Sequence, residues 1–294
     1  MSLSAERLAI ADGAVQRTFE RTSVTWQALP HWDTNDPGQV RVRNDVTFSI
    51  AGVAAAPPVP QPANAPLGAG SVGLNLEAVQ FRMTLGQVTA ATPDALLSAV
   101  ISRTVELAQR FDAAVLRALS TPATPAAVGV AASPWYIALA APAGGVARPQ
   151  MIVAALITGR RLLEDSGYRA PCCLIASTAH FTDLYQWVGS RVATDGLLVA
   201  ANANSLHRAT QLDGIAVPGA GNVDLMLMVG RTQQIPHGSA GSASPGEEPV
   251  DLAVSVPPSL EVIGENAAGE IELAVRTRFA ARVTDERGVI VFHT

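Results

Sequence analysis

The sequence predicts an α+β fold, on three observations: a long amphipathic helix, a very long alternating strand, and a compact run of alternating helices and strands between them. The helix is Pro93 to Leu119, PDALLSAVISRTVELAQRFDAAVLRAL. Leu97, Val100, Ile101, Thr104, Leu107, Ala108, Phe111, Val115 and Leu119 recur at three- and four-residue steps, while Arg103, Glu106, Gln109, Arg110 and Arg117 fall between them. Thr92-Pro93-Asp94 supplies a capping residue, a first-turn proline and an early carboxylate for the positive end of the helix. At about 1.5 Å per residue it is about 40 Å long, so it must support more than one neighbouring layer.

The strand is Glu270 to Val283. Ile271, Leu273, Val275, Thr277, Phe279, Ala281 and Val283 fall on one face, and Glu270, Glu272, Arg276, Arg278 and Arg282 on the other. The alternating run covers about 150 to 235. Arg148-Pro149-Gln150 opens a helix with Met151, Ala155, Leu156, Leu162 and Leu163 on its apolar side and Gly167 at its end. Ala170 to Ala176 reads as a buried strand, and Ser177 caps a helix through His180, Leu184 and Trp187. Gly214 to Val217 and Leu225 to Val229 follow as strands.

The remaining elements read as follows. Ser4 to Thr22 is an amphipathic helix with Leu8, Ala11, Val15 and Phe19 on one side, suited to packing on the body or to binding a partner. Val24 to Leu29 reads as a short strand, and Asp33 to Gly38 as a turn; Val40 to Arg43 and Val46 to Val53 are strand candidates. From Ala54 to Gly73 the chain runs AAAPPVPQPANAPLGAGSVG, which excludes helix and central strand. Leu76 to Val88 then reads as a clean strand. Two extended limbs joined by a stiff tip form an arm without a core of its own, whose stability would come from a neighbouring chain. Thr121 to Gly145 is connecting structure anchored at Ser133-Pro134-Trp135-Tyr136. Val250 to Val256 and Ser259 to Gly264 are strands, Asp285 to Gly288 is a turn, and Val289 to Phe292 closes the chain.

Composition narrows function. The net charge is -5, which argues against nucleic acid as a tightly held direct partner. All twenty basic residues are arginine, so Schiff-base chemistry, a lysine base and a Walker-type phosphate lysine are excluded. The two cysteines, Cys172 and Cys173, are adjacent in an apolar run and read as inert core thiols of a reduced, intracellular chain. No apolar run is long enough for a membrane span, and the N-terminus does not read as a signal peptide.

No chemical motif is well supported. Gly68-Ala69-Gly70-Ser71-Val72-Gly73 matches G-x-G-x-x-G, but a proline run precedes it and a strand follows, so it reads as a loop. His31, Asp33 and Asp36 read as turn polarity and His180 with Asp183 as a helix-surface pair, since neither set has further metal ligands at an informative spacing. Ser239 to Gly246 places serines near His237 without a nucleophile elbow, and Glu247-Glu248 reads as a solvated charge pair. No catalytic, cofactor-binding or metal residue is assigned.

The element order, with LEAVQFRMTLGQV (Leu76 to Val88), RFDAAVL (Arg110 to Leu116), LLEDSGY (Leu162 to Tyr168), FTDLY (Phe181 to Tyr185) and the closing Leu273 to Phe292, resembles the tailed-phage major capsid fold. It most resembles the bacterial encapsulins that share it. The resemblance implies an N-terminal helix and arm (1–43), an extended loop reaching across a neighbouring subunit (44–88) and a peripheral domain with a spine helix (89–149). An α/β axial domain whose tip lines the pores (150–249) and return strands of the peripheral domain (250–294) would complete it. It further implies self-assembly into a closed icosahedral shell. The chain would be a cytoplasmic encapsulin-type nanocompartment enclosing a cargo protein, or alternatively the capsid of a tailed phage or prophage, found in the virion and enclosing DNA. An ordered helix near the start, without a long charged scaffolding segment, and the negative charge favour the nanocompartment. A third alternative is an enzyme whose site is built from scattered residues. Two departures stand out: the chain cannot form the lysine-to-asparagine bonds of some phage shells, and its 54–73 tip is richer in proline and alanine than is usual for an encapsulin. Arg103, Arg110 and Arg117, seven residues apart on one polar stripe, are candidate inter-subunit or cargo-side contacts.

Overall fold

The computed structural model describes residues 4–43, 71–90, 94–120, 136–139, 148–188, 191–192, 198–217, 221–243 and 247–293. The first half holds α1 (Ala5–Thr22), α2 (Val24–Ala28), β1 (His31–Asp33), β2 (Arg41–Arg43), β3 (Ser71–Gly73), β4 (Asn75–Thr84), α3 (Leu85–Thr89), α4 (Ala95–Ser120) and β5 (Tyr136–Ala138). The second holds α5 (Arg148–Asp165), β6 (Ala170–Ala176), α6 (Thr178–Leu184), β7 (Trp187–Val188), β8 (Arg191–Val192), β9 (Ala203–Arg208), β10 (Ile215–Val217), β11 (Gly221–Val223), β12 (Leu225–Arg231), β13 (Val250–Glu265), β14 (Glu270–Val283) and β15 (Val289–His293).

Two sheets dominate. A four-stranded sheet has the order β1-β13-β14-β4 and a five-stranded sheet the order β5-β15-β12-β6-β9; β2–β3, β7–β8 and β10–β11 are separate two-stranded ribbons. The expected long strand is β14, antiparallel to both β13 and β4. The inner strands β15, β12 and β6 of the five-stranded sheet are buried on both faces, which is why they read as continuous apolar runs. Cys173, Ile175, Leu225, Leu227, Val229 and Val291 share one core with Leu107, Phe111 and Val115 of α4 and Leu273, Val275 and Phe279 of β14. On the opposite face Cys172, Leu174, Met226, Met228, Ile290 and Phe292 pack with Ile152, Leu156 and Leu163 of α5. Gly159 permits the latter contact, since a Cβ there would stand 2.7 Å from Phe292 Cζ. The spine helix therefore belongs to a core that reaches both sheets.

Several sequence expectations need correction. Val24 to Ala28 is helix, not strand, because Ser23 Oγ accepts from Trp26 N and Asp112 of α4 accepts from the amides of Val24 and Thr25. The strand expected to run to Val88 stops at Thr84, where a capping box with Gln87 starts α3. The two strands expected on either side of Pro257-Pro258 are one strand, β13, whose register shifts between Val256 and Ser259. A bulge is where proline's missing donor is tolerated. Leu260 N, just beyond, finds Asp12 Oδ1 of α1 at 2.8 Å.

Face assignments also move. The buried face of α5 is Ile152, Leu156, Gly159 and Leu163, with Met151 only half-buried. Ile101 is 40% exposed, whereas Asp112 is buried on the apolar stripe of α4. Trp187 lies beyond α6 in β7. The arm is not coreless throughout: Val79, Phe81 and Met83 of β4 are buried in the core of this chain, and β4 pairs along its length with β14. The closing strand β15 pairs with β12, so the 250–294 segment is divided between the two sheets. Val46 to Val53, the proline-rich tip, Thr92-Pro93 and most of 121–145 lie outside the described residues.

Candidate assembly surfaces

The root of the arm is the ribbon β2–β3. Val42 is buried with Ala253 and Ala280 of the four-stranded sheet, and Trp32, Val72 and Leu74 pack around them. Arg282 and Asp251, register partners on β14 and β13, are 6% and 0% exposed; Arg282 Nε donates to Asp251 Oδ1 at 2.7 Å. The guanidinium lies 4.9 Å from the centroid of the Trp32 ring and donates through Nη1 to Arg43 O at 2.9 Å. Arg282 was expected on the wet face; two bonds to one carboxylate and an aromatic cover make its burial tolerable. The pair thus grips the last described residue of the first limb.

The four-stranded sheet ends at β4, ten residues long, whose outer edge has no partner strand among the described residues. Arg110 reaches Ala78 O at 3.5 Å, and Leu76, Leu85 and Ile101 are among the exposed apolar side chains. Along α4, Arg103 Nη1 and Arg110 Nη2 both meet Glu106, at 3.0 Å and 2.6 Å, and the Arg103 hydrogen bond leads in holding that carboxyl below its usual range. The expected arginine stripe is exposed, as Arg117 is too, but two of its members are engaged within their own helix. The N-terminal helix packs on the body. Arg7 donates to Val88 O at 2.8 Å and to Asp94 Oδ1 at 2.9 Å, and Asp94 also accepts from Leu97 N, capping α4.

The residues weighed for chemistry do not converge. His31 stacks on Trp26 with centroids 3.8 Å apart, and burial lowers its pKa. Asp33 and Asp36 each accept a backbone amide in their own turn, from Asn35 and Gly38. No group of three or more His, Cys, Asp or Glu among the described residues is placed to hold a metal ion. His180 is fully buried rather than on a helix surface, with Nδ1 2.7 Å from Ser177 Oγ, while Asp183 pairs with Arg148. Ser71–Gly73, the end of the G-x-G-x-x-G, is strand, and another strand follows it. Glu248 is 2% exposed, not solvated; it accepts from Thr232 N, Thr232 Oγ1 and Gln233 N. Both cysteines are buried free thiols, and burial pushes Cys172 up to about 12.

Sequence reasoning missed Asp112, Arg231, Glu248 and the Asp251–Arg282 pair. For Asp112 a signal existed, since it lies four residues after Ala108 and three before Val115 on the apolar stripe. The others are polar residues at positions where polarity is ordinary, and only tertiary contacts bury them.

No protein-family model and no curated protein matches the chain by sequence. Solved structures do. A virus-like particle from Pyrococcus furiosus superposes with a TM-score of 0.65 at 12% identity, covering 98% of each chain. A phage-related protein from Bordetella bronchiseptica RB50 gives 0.61 at 12% identity over 96% of each. The capsid of an empty GTA particle gives 0.58 at 12%, covering 92% of this chain and 90% of that one. At such identities the shared property is the fold.

Proposed function

We propose that the chain, which has the tailed-phage major capsid fold, assembles with copies of itself into a closed icosahedral shell. The observation that carries this reading is the 98% mutual coverage with the Pyrococcus furiosus virus-like particle. The edge of β4, without a partner strand among the described residues, and an arm whose root is gripped by Arg282 support it, because both are features that a neighbouring subunit would complete. In this reading α4 and the four-stranded sheet, β4 included, form the peripheral body, the part of 44–88 that precedes β4 is the arm to the neighbour, and 150–249 is the axial domain.

For the contents we favour a cargo protein, as in an encapsulin-type nanocompartment, over DNA. The support is electrostatic: a subunit of net charge -5 without lysine is a poor lining for packed polyanion. Expression of the chain alone should yield closed particles in negative-stain micrographs; small oligomers alone would end the shell reading. Particles from the native host should carry protein, and double-stranded DNA inside them would favour the phage capsid instead.

A further inference from the structure

The segment between β12 and β13 carries the chain from the five-stranded to the four-stranded sheet, and buried groups fasten both of its ends. At its start Arg231, 2% exposed, donates to Ile235 O at 2.9 Å, Asn204 Oδ1 at 3.0 Å and Ala28 O at 3.0 Å. All three acceptors are neutral. At its end stands the buried Glu248, turned to the amides of Thr232 and Gln233. Between them Ile235, Ala240 and Ala243 form a small core, and Gly241 lies so close to His31 that a Cβ would stand 2.5 Å from its Cε1. Asn204 Nδ2 donates to Ile235 O at 2.6 Å, tying the segment to β9, the edge of the five-stranded sheet.

Over that edge lies a pair of imidazoles. A turn closed by Ser239 N to Pro236 O, with Gly238 at φ +74°, presents the exposed His237 ring to the buried His207 of β9. The rings stack at 4.5 Å and 16°. His207 Nε2 is buried without a hydrogen-bond partner among the described residues. The charges acting on His207 are His237 from the segment and Arg231 from β12, both cationic when charged. Cys173 of β6, register partner of Ser205, is a buried thiol kept neutral by its raised pKa, and His31 flanks the segment beneath Gly241. No carboxylate is among the charges acting on His207. Burial first, then His237 and Arg231, lowers His207 from 6.5 to about 4.

We propose that the His207–His237 stack is a proton-operated latch on the 235–243 segment, closed while His207 is neutral and opened when acid charges it. A charged His207 is repelled by the buried Arg231 guanidinium and loses its stacking on His237, and the exposed His237 ring, carried on its turn outside the sheet, is the part that can withdraw. Opening uncovers the edge of β9 and the Trp26–His31 stack, and it loosens the joint between the two sheets. The folded state holds His207 neutral, so the stability it contributes is complete above pH 6.5 and is lost as pH falls toward 4.

Hydrogen exchange followed by mass spectrometry on the full chain in its native assembly tests this, at about pH 7.5 and about pH 4.5 with intrinsic rates corrected. Peptides over 203–208 and 235–243 should open at least about tenfold more in acid, while 225–229 and 273–280 stay protected. His207→Gln, which cannot take a charge, should abolish the response. His237→Gln, at an exposed position with little effect on folding, should move its midpoint to lower pH. Unchanged protection in acid, a response equal in both variants and the parent, or a uniform gain over all strands would each overturn the latch.

Discussion

Asp112 is 3% exposed and accepts four hydrogen bonds, from Ser23 Oγ at 2.7 Å, Val24 N and Thr25 N at 3.0 Å each, and Thr25 Oγ1 at 2.6 Å. Burial pushes its carboxyl up and these donors pull it back, with burial the larger effect. One side chain of the spine helix thus caps α2 from outside. Asp112→Ala leaves the buried Thr25 amide, the half-buried Val24 amide and two hydroxyls without this acceptor and should destabilise the subunit by about 3 kcal/mol, read as a lower urea midpoint with an unchanged slope. A shift below about 0.5 kcal/mol would mean that water replaces the carboxylate. Asp112 was legible as a member of a buried stripe, but its partners were not, because Ser23 and Thr25 lie some ninety residues earlier.

Elements that formed as expected are those whose local pattern and tertiary setting agree: α4, β6 and β14. Those that changed were decided from outside. α2 is only five residues long, too short to hold as a helix by propensity, and its first turn depends on Ser23 and Asp112. β13 continues through two prolines because β14 and α1 take the groups the bulge leaves over. The arm root rests on one buried ion pair and the small apolar cluster around Val42. Arg282→Leu strands the Asp251 carboxylate without its guanidinium and should cost about 3–5 kcal/mol while freeing the β2–β3 ribbon. Thermal unfolding measures the first effect, and protease sensitivity after Arg43 the second; an arm as resistant as the parent's would show that Val42 and Val72 suffice to hold it.

At the scale of the molecule, α4 at 26 residues spans about 39 Å and belongs to the core that joins two sheets. In the proposed shell, its polar stripe is a candidate contact for neighbouring subunits or cargo. Replacing Arg103, Arg110 and Arg117 together by Gln removes two exposed pairs with Glu106, each worth no more than about 1 kcal/mol to the subunit. The variant should keep nearly its parent's melting temperature yet assemble poorly on velocity sedimentation. Intact particles in normal yield would remove the stripe from the assembly contacts.

The sequence alone determined the α+β class, the two long elements and the family resemblance, because amphipathic periodicities of 3.6 and 2 are written into consecutive residues. It also determined that no lysine chemistry is available. The tertiary structure decided which polar residues go inside: Asp112, Arg231, Glu248, Asp251 and Arg282 are buried by partners distant in sequence, a fact no local window contains. It likewise decided that β15 joins the five-stranded sheet and that His237 lies on His207, since pairing across a fold depends on closure of long loops rather than on neighbouring side chains.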